Sequence, residues 1–186
     1  RDWLQPIPAR AILTRDYSPA PAYRMPTALS CNHYPRSAAE IYEKILFHGR
    51  HLQGLRWVQC CTPDGMVADV TGAPAPAQWI AAPLRNSWLC EPLVLDSAFQ
   101  MASLWCFEQY GCVSLPSRAA SYRQFRPSFP SDGVKIVLEV REAAGKKMRG
   151  DFTFLDADGQ VIASLSGYEA VMDPLLNRAF KPGLNA

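Results

Sequence analysis

Residues Pro92 to Gly111 read PLVLDSAFQMASLWCFEQYG, and this stretch decides the fold. From about Leu95 to Tyr110 its apolar residues fall at helical spacing, and Gly111 supplies the expected C-cap. Apolar side chains occupy most of the helix circumference, so the helix has to be buried on nearly all sides rather than laid on a surface. The residues after it are strand-like. An arginine-bearing run from Ser114 to Pro127 precedes VKIVLEVRE (134–142). The closing KMRGDFTFLDADGQVIASLSGYEAVMD (147–173) folds back at Asp158-Gly159, a hairpin signal. A buried helix followed by successive antiparallel strands is an α+β pattern, with the sheet wrapped around the central helix. That arrangement is the hotdog fold.

Upstream of the helix lies a Pro/Ala-rich passage, GAPAPAQWIAAPL (72–84). Before it, GLRWVQCC and GMVADVTG form two strand-like runs joined by the turn Thr62-Pro63-Asp64-Gly65. Before these, SAAEIYEKILFHG starts at Ser37 with Glu40 three residues on, a capping box, and is expected to run helically to Gly49. Six prolines precede residue 36, which predicts an extended linker with at most one short strand, at Ala9 to Thr14. The expected organisation is a linker over 1–36, holding the end of an upstream hotdog, a domain over 37–176 and a tail over 177–186.

A chain of 186 residues predicts one domain with a core large enough to stand without staples. With 48% hydrophobic and 19% charged residues it is neither a disordered tail nor a fibre. A net charge of +2 is too small for bulk nucleic-acid binding, and no apolar run approaches a membrane span. The chain opens on Arg1, as a piece of a longer polypeptide would. Its six cysteines show no CxxC pair and no zinc-site spacing. The expectation is free thiols in a reduced, cytoplasmic protein, with Cys60 and Cys61 facing opposite sides of one strand.

Two polar residues interrupt the apolar helix. Asp96 and Gln100 stand one turn apart on one face, among Leu95, Phe99, Met101, Leu104 and Trp105. A carboxyl in apolar surroundings has its charged form disfavoured, so Asp96 is expected to hold a proton and to be able to give it to a departing hydroxyl. The structural alternative is that Asp96 merely caps the helix N-terminus. Cys106 has no basic neighbour at helical spacing and belongs to the core, and Asp156-Ala157-Asp158-Gly159 is a hairpin turn rather than a calcium loop.

Pro92 to Gln100, PLVLDSAFQ, resembles the "hPxLLDAxxQ" signature of the second hotdog half of dehydratase domains in polyketide and polyunsaturated-fatty-acid synthases. Ile41 to Leu55, IYEKILFHGRHLQGL, is similar to the "YxxLxxxGxxYGPxFQGL" segment that opens the same half. The Leu115-Pro116 after the helix and the closing SLSGYEAVMDPLLNRAF also match. The resemblance covers about Ser37 to Phe180. It implies the C-terminal half of a double hotdog that removes water from a 3-hydroxyacyl chain carried on an acyl carrier protein. It implies Asp96 as the acid, Gln100 as its support, and His48, Gly49, Leu115 and Pro116 against the substrate. It implies no metal or organic cofactor, because the substrate arrives on the phosphopantetheine arm of the carrier, and a dimeric assembly.

The family's base histidine sits in an HxxxGxxxxP motif that this sequence lacks. His33 lies in the linker, His51 is one residue short of the glycine spacing, and His48 replaces a common tyrosine, as pocket wall or structural histidine. Arg50 stands for the usual proline and Leu52 for the usual phenylalanine. The base is therefore expected from an upstream half outside this chain. Arg118, Arg123 and Arg126 are the only charges between Glu108 and Asp132, and would either steer an acidic carrier protein or line a solvated strand. Two rivals stand beside the dehydratase: a hotdog acyl thioesterase in which Asp96 activates water, and a catalytically silent scaffold or acyl-binding half.

Overall fold

Helix α3 (Pro92–Tyr110) fills the concave side of one antiparallel sheet. The computed structural model describes residues 9–12, 16–31 and 33–180. The seven strands are β1 (Leu55–Thr62), β2 (Gly65–Val70), β3 (Ser114–Arg118), β4 (Ser121–Gln124), β5 (Val134–Ala144), β6 (Lys147–Leu155) and β7 (Val161–Met172). They run in the order β1-β2-β5-β6-β7-β3, with β4 also on β7, and every pairing is antiparallel. Three further α-helices among the described residues are α1 (Ala38–Lys44), α2 (Pro76–Trp79) and α4 (Pro174–Phe180). This is the hotdog arrangement.

The helix is held by burial over most of its circumference. Val94, Ala98, Met101, Ala102, Leu104, Trp105 and Cys106 are at most 1% exposed, against Met66, Ile136, Leu138, Phe152 and Phe154 from the sheet. Trp105 buries its ring and still satisfies its indole N–H, which donates to the Thr62 carbonyl at 2.7 Å. Gly111 ends the helix in the left-handed conformation at φ 68°. Glu108, in the last turn, accepts from the Tyr34 hydroxyl at 2.7 Å and the Arg36 guanidinium at 2.8 Å, which ties the segment before α1 to this helix.

Four expectations change. Helix α1 has the predicted capping box but ends at Lys44, not Gly49. The Ile45 and Leu46 N–H groups both donate to the Ile41 carbonyl at 2.9 Å, so the regular ladder stops at Ile45 and the chain leaves the helix there. Ala9 to Ile12 form no strand, and Leu13 and Thr14 lie outside the described residues. The tail expected from residue 177 begins as α4, whose Asn177 donates to the Gly111 carbonyl and accepts from the Val113 N–H.

The largest correction concerns cysteine. Cys60 and Cys61 do face opposite sides, but Cys60 is disulfide-bonded to Cys31, while Cys61, Cys90, Cys106 and Cys112 are free. Tyr23, Met25 and Leu29 pack over Cys60, Val67, Val137, Leu155 and Val161 on the far face of the sheet. Over its described residues 16–31 the proline-rich segment has no regular structure beyond a 3-10 turn at Thr27–Leu29, and it is bound to the sheet by these contacts rather than free-standing. Strand periodicity gives the direction of each thiol but not what folds over it. No helix among the described residues is long and apolar enough to cross a membrane.

Candidate functional site

Asp96 is in the second turn of α3, and Glu91 occupies the N-cap position, so Asp96 does not cap the helix. Its side chain is 34% exposed. The premise of a carboxyl sealed in apolar surroundings is therefore not met; Asp96 lies at the rim of the core, beside Gln100, which is 1% exposed.

A chain of hydrogen bonds fixes Gln100. Its Nε2 donates to the Leu52 carbonyl at 2.7 Å and to Asp96 Oδ2 at 2.6 Å, and its Oε1 accepts from the Tyr42 hydroxyl at 2.6 Å. That hydroxyl accepts in turn from the Leu55 N–H at 2.8 Å. A carbonyl can only accept and an amide N–H can only donate, so the two ends dictate every direction between them. Gln100 must present its N–H groups to Leu52 and Asp96. Burial pushes the Tyr42 phenol upward, so it remains a hydroxyl able to donate.

One backbone anchor, Leu52, lies in the loop that crosses α3 before β1 and the other, Leu55, opens β1, and Gly54 between them lets the loop approach. A Cβ at Gly54 would lie 2.1 Å from Ser97 Oγ, which is itself bonded to the Leu93 carbonyl. Tyr42 comes from α1, brought in by the buried Ile41 on the same short helix. Tyr42 was absent from the expected site; the tyrosine of the Ile41–Leu55 segment is the signal that marks it. The roles of Leu52 and Leu55 are played by backbone atoms, which no side-chain pattern reveals.

Of the other expected residues, His48 joins the group: its Nε2 is 3.7 Å from Asp96 Oδ2 and its side chain is 10% exposed. Gly49 follows it on the surface. Leu115 and Pro116 are exposed on β3, beyond Ser114, whose N–H bonds Ser103 Oγ. Ser103 is seven residues along α3 from Asp96, about 10 Å at the helical rise, so this pair is not brought to the carboxyl. Arg118 and Arg123 are exposed on β3 and β4. Arg126 pairs through Nη1 with Asp156 at 2.5 Å, with its side chain 42% exposed. His33 and His51 are exposed. Cys106 is fully buried, and burial pushes its thiol up to about 12, as expected of a core residue. Asp156 accepts from the N–H groups of Asp158 and Gln160, the hairpin turn predicted there.

Two surface clefts, of about 430 and 230 Å³, lie near Trp57 on β1 and Trp88 respectively; neither is lined by Asp96 or Gln100.

The family model for the polyketide synthase dehydratase N-terminal domain matches residues 27–172. The chain belongs to that dehydratase family. It is 28% identical over 157 residues to one component protein of the polyunsaturated fatty acid synthase of Thraustochytrium sp., a match covering 78% of this chain and 6% of that protein. Among solved structures, a trans-AT polyketide synthase dehydratase domain from Brevibacillus brevis superposes with a TM-score of 0.62 at 20% identity, covering 83% of this chain and 54% of that one. The dehydratase domain of the CurJ module of curacin polyketide synthase gives 0.62 at 17% identity, covering 86% and 56%. At such identities the dehydratase structures establish the fold, and the chain spans about half the length of each.

Proposed function

We propose that this chain is the C-terminal half of a dehydratase that eliminates water from 3-hydroxyacyl thioesters held on an acyl carrier protein. The observation that carries the reading is the bonded series Leu55–Tyr42–Gln100–Asp96, which spends a buried tyrosine and a buried glutamine on aiming one carboxyl outward. A base takes the α-proton, the C–H electron pair forms the double bond, and the C–O bond breaks. Asp96 gives its proton to the departing hydroxyl, which leaves as water. The base is a histidine from outside this chain, in an upstream half. That the carboxyl lies at an open rim and in neither cleft supports a site completed by another surface.

The matching family model bears the name of the N-terminal dehydratase domain. Assignment to the C-terminal half rests instead on the motif at 92–100 and on the missing HxxxGxxxxP. The elimination is acid–base chemistry needing neither metal nor organic cofactor. Arg118, Arg123 and Arg126 are offered to an acidic carrier, and a dimeric assembly is part of the reading. So is a cytoplasmic location, against which the Cys31–Cys60 bond weighs, since cytosolic thiols are normally kept reduced.

The test is a mass-spectrometric dehydration assay on a 3-hydroxyacyl carrier-protein thioester, comparing this chain with the chain joined to its upstream neighbour. Only the joined form should release water, and Asp96→Asn should slow it about 10²- to 10⁴-fold. Unchanged turnover in Asp96→Asn would leave the scaffold reading in its place.

A further inference from the structure

His48 occupies the loop between α1 and β1, and its polar surroundings are lopsided. Nε2 faces Asp96 Oδ2 at 3.7 Å, while Nδ1 is buried with no hydrogen-bond partner among the described residues. The ring lies against Phe47 at a centroid distance of 4.3 Å, and Phe47 meets Phe180 of α4 edge-on. Gln53 Nε2 donates to the His48 carbonyl at 3.0 Å and so fixes the loop backbone. The charge acting on the ring is that of Asp96 from α3; Tyr42 from α1 reaches the pair through Gln100.

A neutral imidazole carries its hydrogen on one nitrogen only. Placed on Nδ1, that hydrogen would be a buried donor without an acceptor. Placed on Nε2, it points at a carboxylate oxygen. A second proton would restore the stranded N–H at Nδ1. Burial accordingly pulls His48 below its ordinary value, and Asp96 opposes this only in part.

We propose that His48 is a positioning residue for the acid: neutral, with its hydrogen on Nε2, it joins Gln100 in donating to the ionised Asp96 at Oδ2, so that Oδ1 is the oxygen left to take up a proton from solvent and pass it on. The proposal rests on the dehydratase reading above. At 3.7 Å the contact is longer than a hydrogen bond, and it closes when substrate fills the site, as such contacts commonly do. During elimination the proton on Oδ1 passes to the departing hydroxyl, and His48 neither gains nor loses one. An imidazole whose lone pair is on a buried Nδ1 has nothing to offer an α-proton, so His48 is not the base.

Nitrogen-15 NMR of the histidine side chains tests the tautomer. His48 should be neutral with hydrogen on Nε2 at pH 7, and in Asp96→Asn it should titrate at lower pH, having lost its charged neighbour. In the full polypeptide, His48→Gln, whose amide can donate near the Nε2 position, should keep kcat within about threefold. His48→Leu should lower kcat about 10- to 100-fold with KM little changed. A hydrogen on Nδ1, a charged ring at pH 7, indifference to Asp96→Asn, or wild-type kcat in His48→Leu would each overturn the proposal. If the unaltered polypeptide releases no water, the dehydratase reading fails separately, and the tautomer and its response to Asp96→Asn still decide where His48 holds its hydrogen.

Discussion

Tyr42 is the residue on which the site's orientation turns. Its hydroxyl is both the acceptor for Leu55 N–H and the donor that settles which way Gln100 lies. In Tyr42→Phe both partners lose their bond inside a buried region, at a cost of about 1–3 kcal/mol. With Oε1 released, the amide of Gln100 is no longer held with its N–H groups toward Asp96. The variant is expected to unfold at lower denaturant and to dehydrate more slowly, with the loss in kcat larger than the change in KM. Stability lost with kcat intact would mean that Tyr42 serves the core alone. Asp96 itself, one-third exposed, was legible from the sequence as a polar interruption of an apolar helix. The openness of its surroundings was not, because a residue's place on a helix does not say how far that face is roofed.

At the scale of elements, the site depends on how closely the loop before β1 crosses α3. Gly54 supplies that clearance, and the two backbone groups that anchor the network flank it. A Cβ there meets Ser97 Oγ at 2.1 Å and Leu93 Cγ at 3.0 Å. Gly54→Ala should therefore destabilise by about 1–3 kcal/mol through overpacking and shift Leu52 and Leu55 away from Gln100 and Tyr42. Trimming the obstacle, as Ser97→Ala in the same chain, should return part of the loss. A double-mutant cycle by chemical denaturation measures that coupling, and strict additivity would exclude the contact as the cause. The strands and the central helix were readable from periodicity and turn residues. The early end of α1 was not, because it follows from the Ile45 and Leu46 N–H groups closing together on the one Ile41 carbonyl.

Across the whole molecule, the proline-rich segment before the domain is part of its packing. It covers the outer face of the sheet with Tyr23, Met25 and Leu29 and is tied there by Cys31–Cys60, residues separated by 29 positions. Closing a loop of that length removes unfolded-state entropy worth about 3–4 kcal/mol in the chain-entropy account. Cys31→Ser should lower the melting temperature under oxidising conditions and match the parent protein once a reductant is present. Equal melting under oxidising conditions would show that the two thiols are not joined in solution.

The apolar run of α3, the hairpin at Asp158-Gly159 and the motif at 92–100 specified a sheet around a helix and named Asp96 and Gln100, because these are local patterns whose periodicity and chemistry are written in order along the chain. The partners that give those two residues their meaning come from elsewhere: a hydroxyl from α1, a carbonyl and an imidazole from the loop before β1, and a backbone N–H from the first residue of β1. Whether a side chain is roofed, and by what, is a property of contacts between distant residues. Only the tertiary structure decides it.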